Sequence, residues 1–240
     1  MKKILNPAWL PVFSILAGVV AMLLRFWQLA VGVDEKGLLI SGHASVYMIF
    51  GLLIFSVVIM VLLCRKMPTT WTSGFTGSVW AGSCAFVSAM GLLAADIIEF
   101  IHGNDMIVTV NFLLGILAAG ALVWMGLCRL SGVKAGIISH SLLSIYFMLH
   151  LIVQYRLWSA EPQLLVYCFP LLASVCLMLS CYHRAELSIT GKRVRRFLFL
   201  NQLSLLLCCM SLGESLLFYG SMALWTASDL FFAQRKDEKA

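Results

Sequence analysis

Polar residues are so widely spaced along this chain that apolar stretches recur from end to end, each close to the ~20 residues a helix needs to cross a bilayer. Eight runs can be drawn, roughly 8–31, 43–63, 76–101, 108–128, 136–157, 164–182, 196–212 and 214–233. The last two share one segment between Arg196 and Arg235, too long for a single span unless strongly tilted. Gly213 and Glu214 supply the break that makes it two. Between the runs there is no long loop or low-complexity linker. The longest polar segment, HRAELSITGKRVRR at 183–196, is expected to lie outside the spans. The prediction is an all-α integral membrane protein, a polytopic bundle of about eight transmembrane helices forming one domain over 1–240.

Composition agrees, with 61% hydrophobic and only 12% charged residues. Charge adds orientation, because Lys and Arg collect in the cytoplasmic loops of membrane proteins. With the N-terminus inside, the cytoplasmic side receives Lys2, Lys3, Arg65, Lys66, Arg129, Lys134, Arg184, Lys192, Arg193, Arg195, Arg196, Arg235, Lys236 and Lys239. Only Lys36 and Arg156 fall outside, and Arg25 lies within the first span. Both termini are therefore expected in the cytoplasm and the chain in a cell (inner) membrane, with the lipid bilayer as its partner. The net charge of +6 becomes a rim for anionic lipid, not a nucleic-acid surface. The charged start MKKILNPAWLPVF is read as a retained first span, because the apolar stretch exceeds an ordinary signal core and Arg25 interrupts it.

Two helix faces carry packing signals. In the third run Gly77, Ala81, Ala85 and Ala89 recur every four residues beside a second row of Gly74, Ser78 and Gly82, a pattern that admits close helix approach in lipid. Continued through Leu92, the first row leads to Asp96 and Glu99, so both carboxylates are expected on an inward face. In the first run Ser14, Gly18, Ala21, Arg25 and Gln28 form one stripe. Arg25 and Asp96 both fall about 8–10 Å below the outer boundary, which makes them expected partners.

The candidate ligand-binding residues are Arg25, His43, Tyr47, Asp96, Glu99, Asn111, His150 and Gln154, with His102 and Glu214 near the same level. Fewer polar residues sit within the inner half of the spans, chiefly His140, Asn201, Gln202 and Asp229. That asymmetry suggests a polar pocket opening outward between the first, second, third and fifth spans. A small permease, or a permease-like binding protein for a cation or small polar solute, fits these groups best. A membrane-embedded metal-dependent or acid/base enzyme could use the same residues, and a non-catalytic subunit of a larger complex would use them for structure alone.

Asp96, Glu99 and His102, spaced by three, could join His43 or His150 around a divalent ion, but no HExxH-type pair fixes such a geometry and no metal ligand is assigned. No cofactor is assigned either. Retinal needs a lysine inside a span, haem needs facing histidine pairs, and no phosphate-binding loop is present. The eight cysteines avoid the outer loops and show no metal-binding spacing, as expected of small packing residues.

Overall fold

The computed structural model describes residues 9–32, 40, 43–67, 78–103, 105–133, 135–159 and 167–231. Among them are eight α-helices and no strand: α1 (Trp9–Val31), α2 (Ala44–Arg65), α3 (Val79–His102), α4 (Met106–Leu130), α5 (Ile137–Trp158), α6 (Cys168–Thr190), α7 (Val194–Met210) and α8 (Leu216–Phe231). The helices α1 to α6 are long and apolar enough to cross a membrane. The chain is a helical multi-pass membrane protein. At 17 and 16 residues, α7 and α8 are shorter, about 24–26 Å at 1.5 Å per residue.

One boundary differs clearly from the sequence expectation. The polar stretch after residue 182 does not leave the helix: α6 continues two further turns to Thr190, and Gly191 ends it in the left-handed conformation at φ 62°. Continuation is sustained because Arg184, Ala185 and Leu187 are buried on one face, while His183 and Glu186 pair at 3.0 Å on another.

The neighbours define a closed ring. α3 packs on α4, α4 on α5, α5 on α6, α6 on α7, α7 on α8, and α8 returns to α3; α1 lies against α7 and α8, with α2 on α1 and α7. Among the six long helices the most apolar, α2, is the least buried, and the least apolar, α6, is the most buried. That order is expected where the outer surface meets lipid and polar side chains must turn inward.

The small-residue face of α3 is one of the seams. Ala81, Ala85, Ala89, Leu92 and Asp96 are all buried, and Ser88 Oγ donates to the Ser221 carbonyl of α8 at 2.8 Å. Gly74 and Gly77, the start of the two expected rows, lie outside the described residues. On α1, Ser14, Gly18, Ala21, Arg25 and Gln28 are buried as expected, and they face the α7–α8 pair.

The bundle has two chemically distinct ends. Leu10, Cys64, Met67, Leu187, Val194 and Leu230 cluster together, so the start of α1 and the finish of α8 lie at one end. Among the described residues, Arg65, Lys66, Arg129, Arg184, Lys192, Arg193, Arg195 and Arg196 belong to that basic end, and Asp96, Glu99, Asp105 and Glu214 to the opposite, acidic end together with Arg25 and Arg156.

The basic end corrects the expectation that the inner half is poor in polar residues. Arg129 and Arg184, counted from sequence among the rim cations, are buried in the last turns of α4 and α6. Arg129 donates to Asp229 of α8 at 2.9 Å, and Arg184 pairs with the other oxygen of the same carboxylate. The Arg184 guanidinium also lies 5.6 Å from the centre of the Trp225 ring. His140 is buried nearby on α5. Between this layer and the acidic end, Leu122, Leu143, Phe147, Leu177 and Met222 are fully buried and fill the ring.

The α3 seam makes a direct prediction. Ala85 is buried with its Cβ 3.4 Å from the position a Cβ would take on Gly126 of α4. Ala85→Leu overpacks this contact at a cost of about 1–3 kcal/mol and is expected to lower the melting temperature in detergent by several degrees. Met90→Leu, on the exposed face of the same helix, should leave it unchanged. Equal melting of the two variants would show that the seam is not closely packed.

Candidate functional site

At the acidic end, α3 and α5 present matching rows across the ring. On α3, Leu92, Asp96 and Glu99 follow one face; on α5, Tyr146, His150 and Gln154 recur every four residues on another. The rows meet in register. Tyr146 donates its hydroxyl to Asp96 Oδ1 at 2.7 Å, and Gln154 Nε2 donates to Glu99 Oε1 at 2.9 Å. His150 stacks on Phe218 of α8, with ring centres 4.2 Å apart and planes at 23°. One carboxylate oxygen of Asp96, one of Glu99 and one ring nitrogen of His150 all lie within 4.8 Å of one another.

α4 makes room for this arrangement. A Cβ built on Gly115 would fall onto Asp96 Oδ2 and 2.8 Å from its Cγ, so the absence of a side chain lets the carboxylate enter between the helices. One turn earlier on α4 lies Asn111. The Phe112 ring stacks on Phe100 of α3 at 4.7 Å, which sets Asn111 level with Glu99.

Burial is unequal across the cluster. Asp96, Asn111 and His150 are buried at 2%, 1% and 3% exposure, whereas Glu99 and Gln154 are half-buried nearer the helix ends. Asp96 lies six residues before the last residue of α3, about 9 Å inside by helical rise. Among the described residues, three atoms here have no hydrogen-bond partner: Asp96 Oδ2, Asn111 Oδ1 and His150 Nδ1. Buried polar atoms are seldom left so, and these three stand at one level of the ring.

Of the eight residues singled out from sequence, the fold thus brings Asp96, Glu99, Asn111, His150 and Gln154 to one level of the ring. Arg25, His43 and Tyr47 lie elsewhere. Tyr47 projects from the outer face of α2 at 70% exposure. His43 caps α2, its Nδ1 accepting from the Ser45 backbone N–H at 3.3 Å and lying 2.7 Å from Ser45 Oγ. His102 Nδ1 bonds the Ile98 carbonyl of its own helix at 2.7 Å and faces outward. The helices around the cluster are α3, α4, α5 and α8, in place of the first, second, third and fifth expected. The physical reason is that α7 and α8 separate α1 from α3.

The same separation corrects the expected Arg25–Asp96 pair. Arg25 donates to Gln28 Oε1 at 2.6 Å, lies 3.9 Å from Glu214 Oε1 in the α7–α8 turn, and covers the Phe169 ring at 5.3 Å. Burial pushes the Glu214 carboxyl above its ordinary range, and Arg25 opposes that shift. Tyr146, Gly115 and Phe218 were not singled out from sequence. Tyr146 could have been found, since it begins the four-residue row that runs through His150 to Gln154.

The Arg25 contact is testable by a thermodynamic cycle. Arg25→Gln and Glu214→Gln should each lower the melting temperature in detergent, and the double variant should lose less than the sum, with a coupling of about 0.5–1 kcal/mol. Arg25→Gln combined with Asp96→Asn should be additive. Coupling in the second cycle and additivity in the first would reverse the assignment of partners.

Comparison of this chain with protein-family models, with curated proteins and with solved structures finds no match. The chemistry of the ring is therefore the guide to its function.

Proposed function

We propose that the protein is a small permease, or a permease-like binding protein, that takes up a small cation inside its six-helix ring. The observation that carries this reading is the meeting of Asp96, Glu99 and His150 within 4.8 Å in a largely buried interior. Two carboxylates at that spacing repel one another and are costly to keep in a low-dielectric place, and a cation between them offsets both terms. An anionic solute would meet neither need.

The roles follow from position. Glu99, half-buried and nearer the helix ends, meets the ion first. Asp96, held by Tyr146 and recessed against Gly115, binds it at depth. Gln154 keeps the Glu99 carboxylate turned toward the interior, and Asn111 offers a further oxygen at the same level. Because the binding groups must be ionised to hold a cation, its entry releases protons.

The charge distribution supports an orientation. With the basic end in the cytoplasm, all eight helices pass through an inner membrane, both termini lie inside, and the cation site opens outward. The short α7 and α8 complete their passage within the surrounding helices, where lipid thickness does not set their length.

Two experiments test this reading. In proteoliposomes carrying a pH-sensitive dye, an imposed cation gradient should drive cation uptake with counterflow of protons, and Glu99→Gln should abolish it while the variant still elutes as folded protein. A panel of mono- and divalent cations that neither binds nor moves would leave the protein as a structural subunit. In intact cells, cysteines placed at Met106 and Ser159 in a cysteine-free background should react with an impermeant maleimide, and cysteines at Ser131 and Ile189 should not. Labelling of the second pair alone would invert the orientation.

A further inference from the structure

We infer that the cation is a divalent transition-metal ion, of the zinc or cobalt type, bound by Asp96, Glu99 and His150. This rests on the cation reading of the same site and narrows it by the chemistry of the donors. Alkali and alkaline-earth ions are held by oxygen ligands, whereas an imidazole nitrogen beside two carboxylates suits zinc, cobalt, iron and manganese.

The imidazole is the decisive member. His150 is 3% exposed, and its Nδ1 has no hydrogen-bond partner. The ring stacks on Phe218 at 4.2 Å and lies 5.8 Å from the Tyr146 ring, packed among aromatic side chains and away from solvent. A buried histidine with an unpartnered nitrogen, its ring within 4.8 Å of two carboxylates, is arranged as a ligand and not as a packing group. Neither His43 nor His102 shares these features, since each is bonded locally.

The carboxylates carry the outer contacts that metal ligands need. Tyr146 donates to one Asp96 oxygen and Gln154 to one Glu99 oxygen, which fixes each group while leaving its other oxygen for the ion. Ligand atoms around an ion with bonds of about 2.1 Å stand roughly 3–4.2 Å apart. The observed spread, within 4.8 Å, is close to that range. Two carboxylates and a neutral imidazole balance a dication, and the fourth position is left for water or for Asn111 Oδ1, whose oxygen is also unpartnered.

The test uses the full-length protein in detergent, stripped with a chelator and titrated by calorimetry with zinc, cobalt and manganese, with sodium and calcium as comparators. One equivalent of zinc or cobalt should bind and raise the melting temperature, and cobalt should show the ligand-field absorption of a mixed nitrogen and oxygen set. Gln154→Ala should weaken cobalt binding about 10-fold by loosening Glu99, Glu99→Gln should weaken it more, and His102→Gln should have no effect. His150→Gln should remove the nitrogen signature. Because His150 is stacked in the core and its loss can unfold the chain, the wild-type cobalt spectrum and the Glu99 and Gln154 variants carry the test independently. Glu99-dependent stabilisation by sodium or calcium, without a response to zinc, cobalt or manganese, would overturn the metal inference and leave the cation reading intact. Silence toward every cation would overturn both. Metal binding unaffected by Glu99→Gln and Gln154→Ala would place the ion elsewhere and overturn the assignment.

Discussion

A carboxylate drawn into the interior of a membrane bundle must be met by donors, because neither lipid nor apolar side chains can replace its hydration. The hydrogen bond from Tyr146 to Asp96 meets that constraint here, and much of the local architecture serves it. Gly115 leaves the space the carboxylate occupies, the small-residue face of α3 draws that helix against its neighbours, and α8 presses Phe218 onto the adjoining histidine. The bond satisfies one oxygen only. The other has no partner among the described residues, and the same holds for Asn111 Oδ1 and His150 Nδ1 at the same level.

The same constraint is solved differently at the basic end. Asp229 receives Arg129 from α4 and Arg184 from α6, so three helices are joined by one carboxylate with both oxygens engaged. Removing one member of such a set leaves buried charge uncompensated, whereas the complete set adds little beyond fixing which helices meet. The ring therefore holds two polar layers of opposite character, one built on ion pairs between two arginines and a carboxylate and one on neutral donors to two carboxylates, with an apolar belt between them.

Depth along the membrane was largely legible in the sequence, and direction around each helix only in part. Apolar run lengths placed the helices, and counting from their ends placed Asp96, Glu99, His150 and Gln154 at one level. Residue spacing also identified the buried faces of α1 and α3. What spacing could not supply was which face meets which: matched depth suggested that Arg25 answers Asp96, but α7 and α8 intervene, and Glu214 answers it instead. Arg129 and Arg184 were obscure for a related reason. Near a helix end, a cation in the rim and a cation folded back onto a carboxylate look alike in sequence, and only the partner on α8 distinguishes them.

Like α4, which carries both Asn111 and Arg129, α8 touches both layers. Phe218 near the start of α8 lies against His150, and Asp229 near its finish holds the two arginines, about 16 Å away along the axis by helical rise. α8 is a single unbroken helix between them, stiff along its length. The side chain that lies against His150 and the carboxylate that gathers Arg129 and Arg184 thus ride on one rigid element, and α8 acts as a ruler that fixes the spacing between the two polar layers.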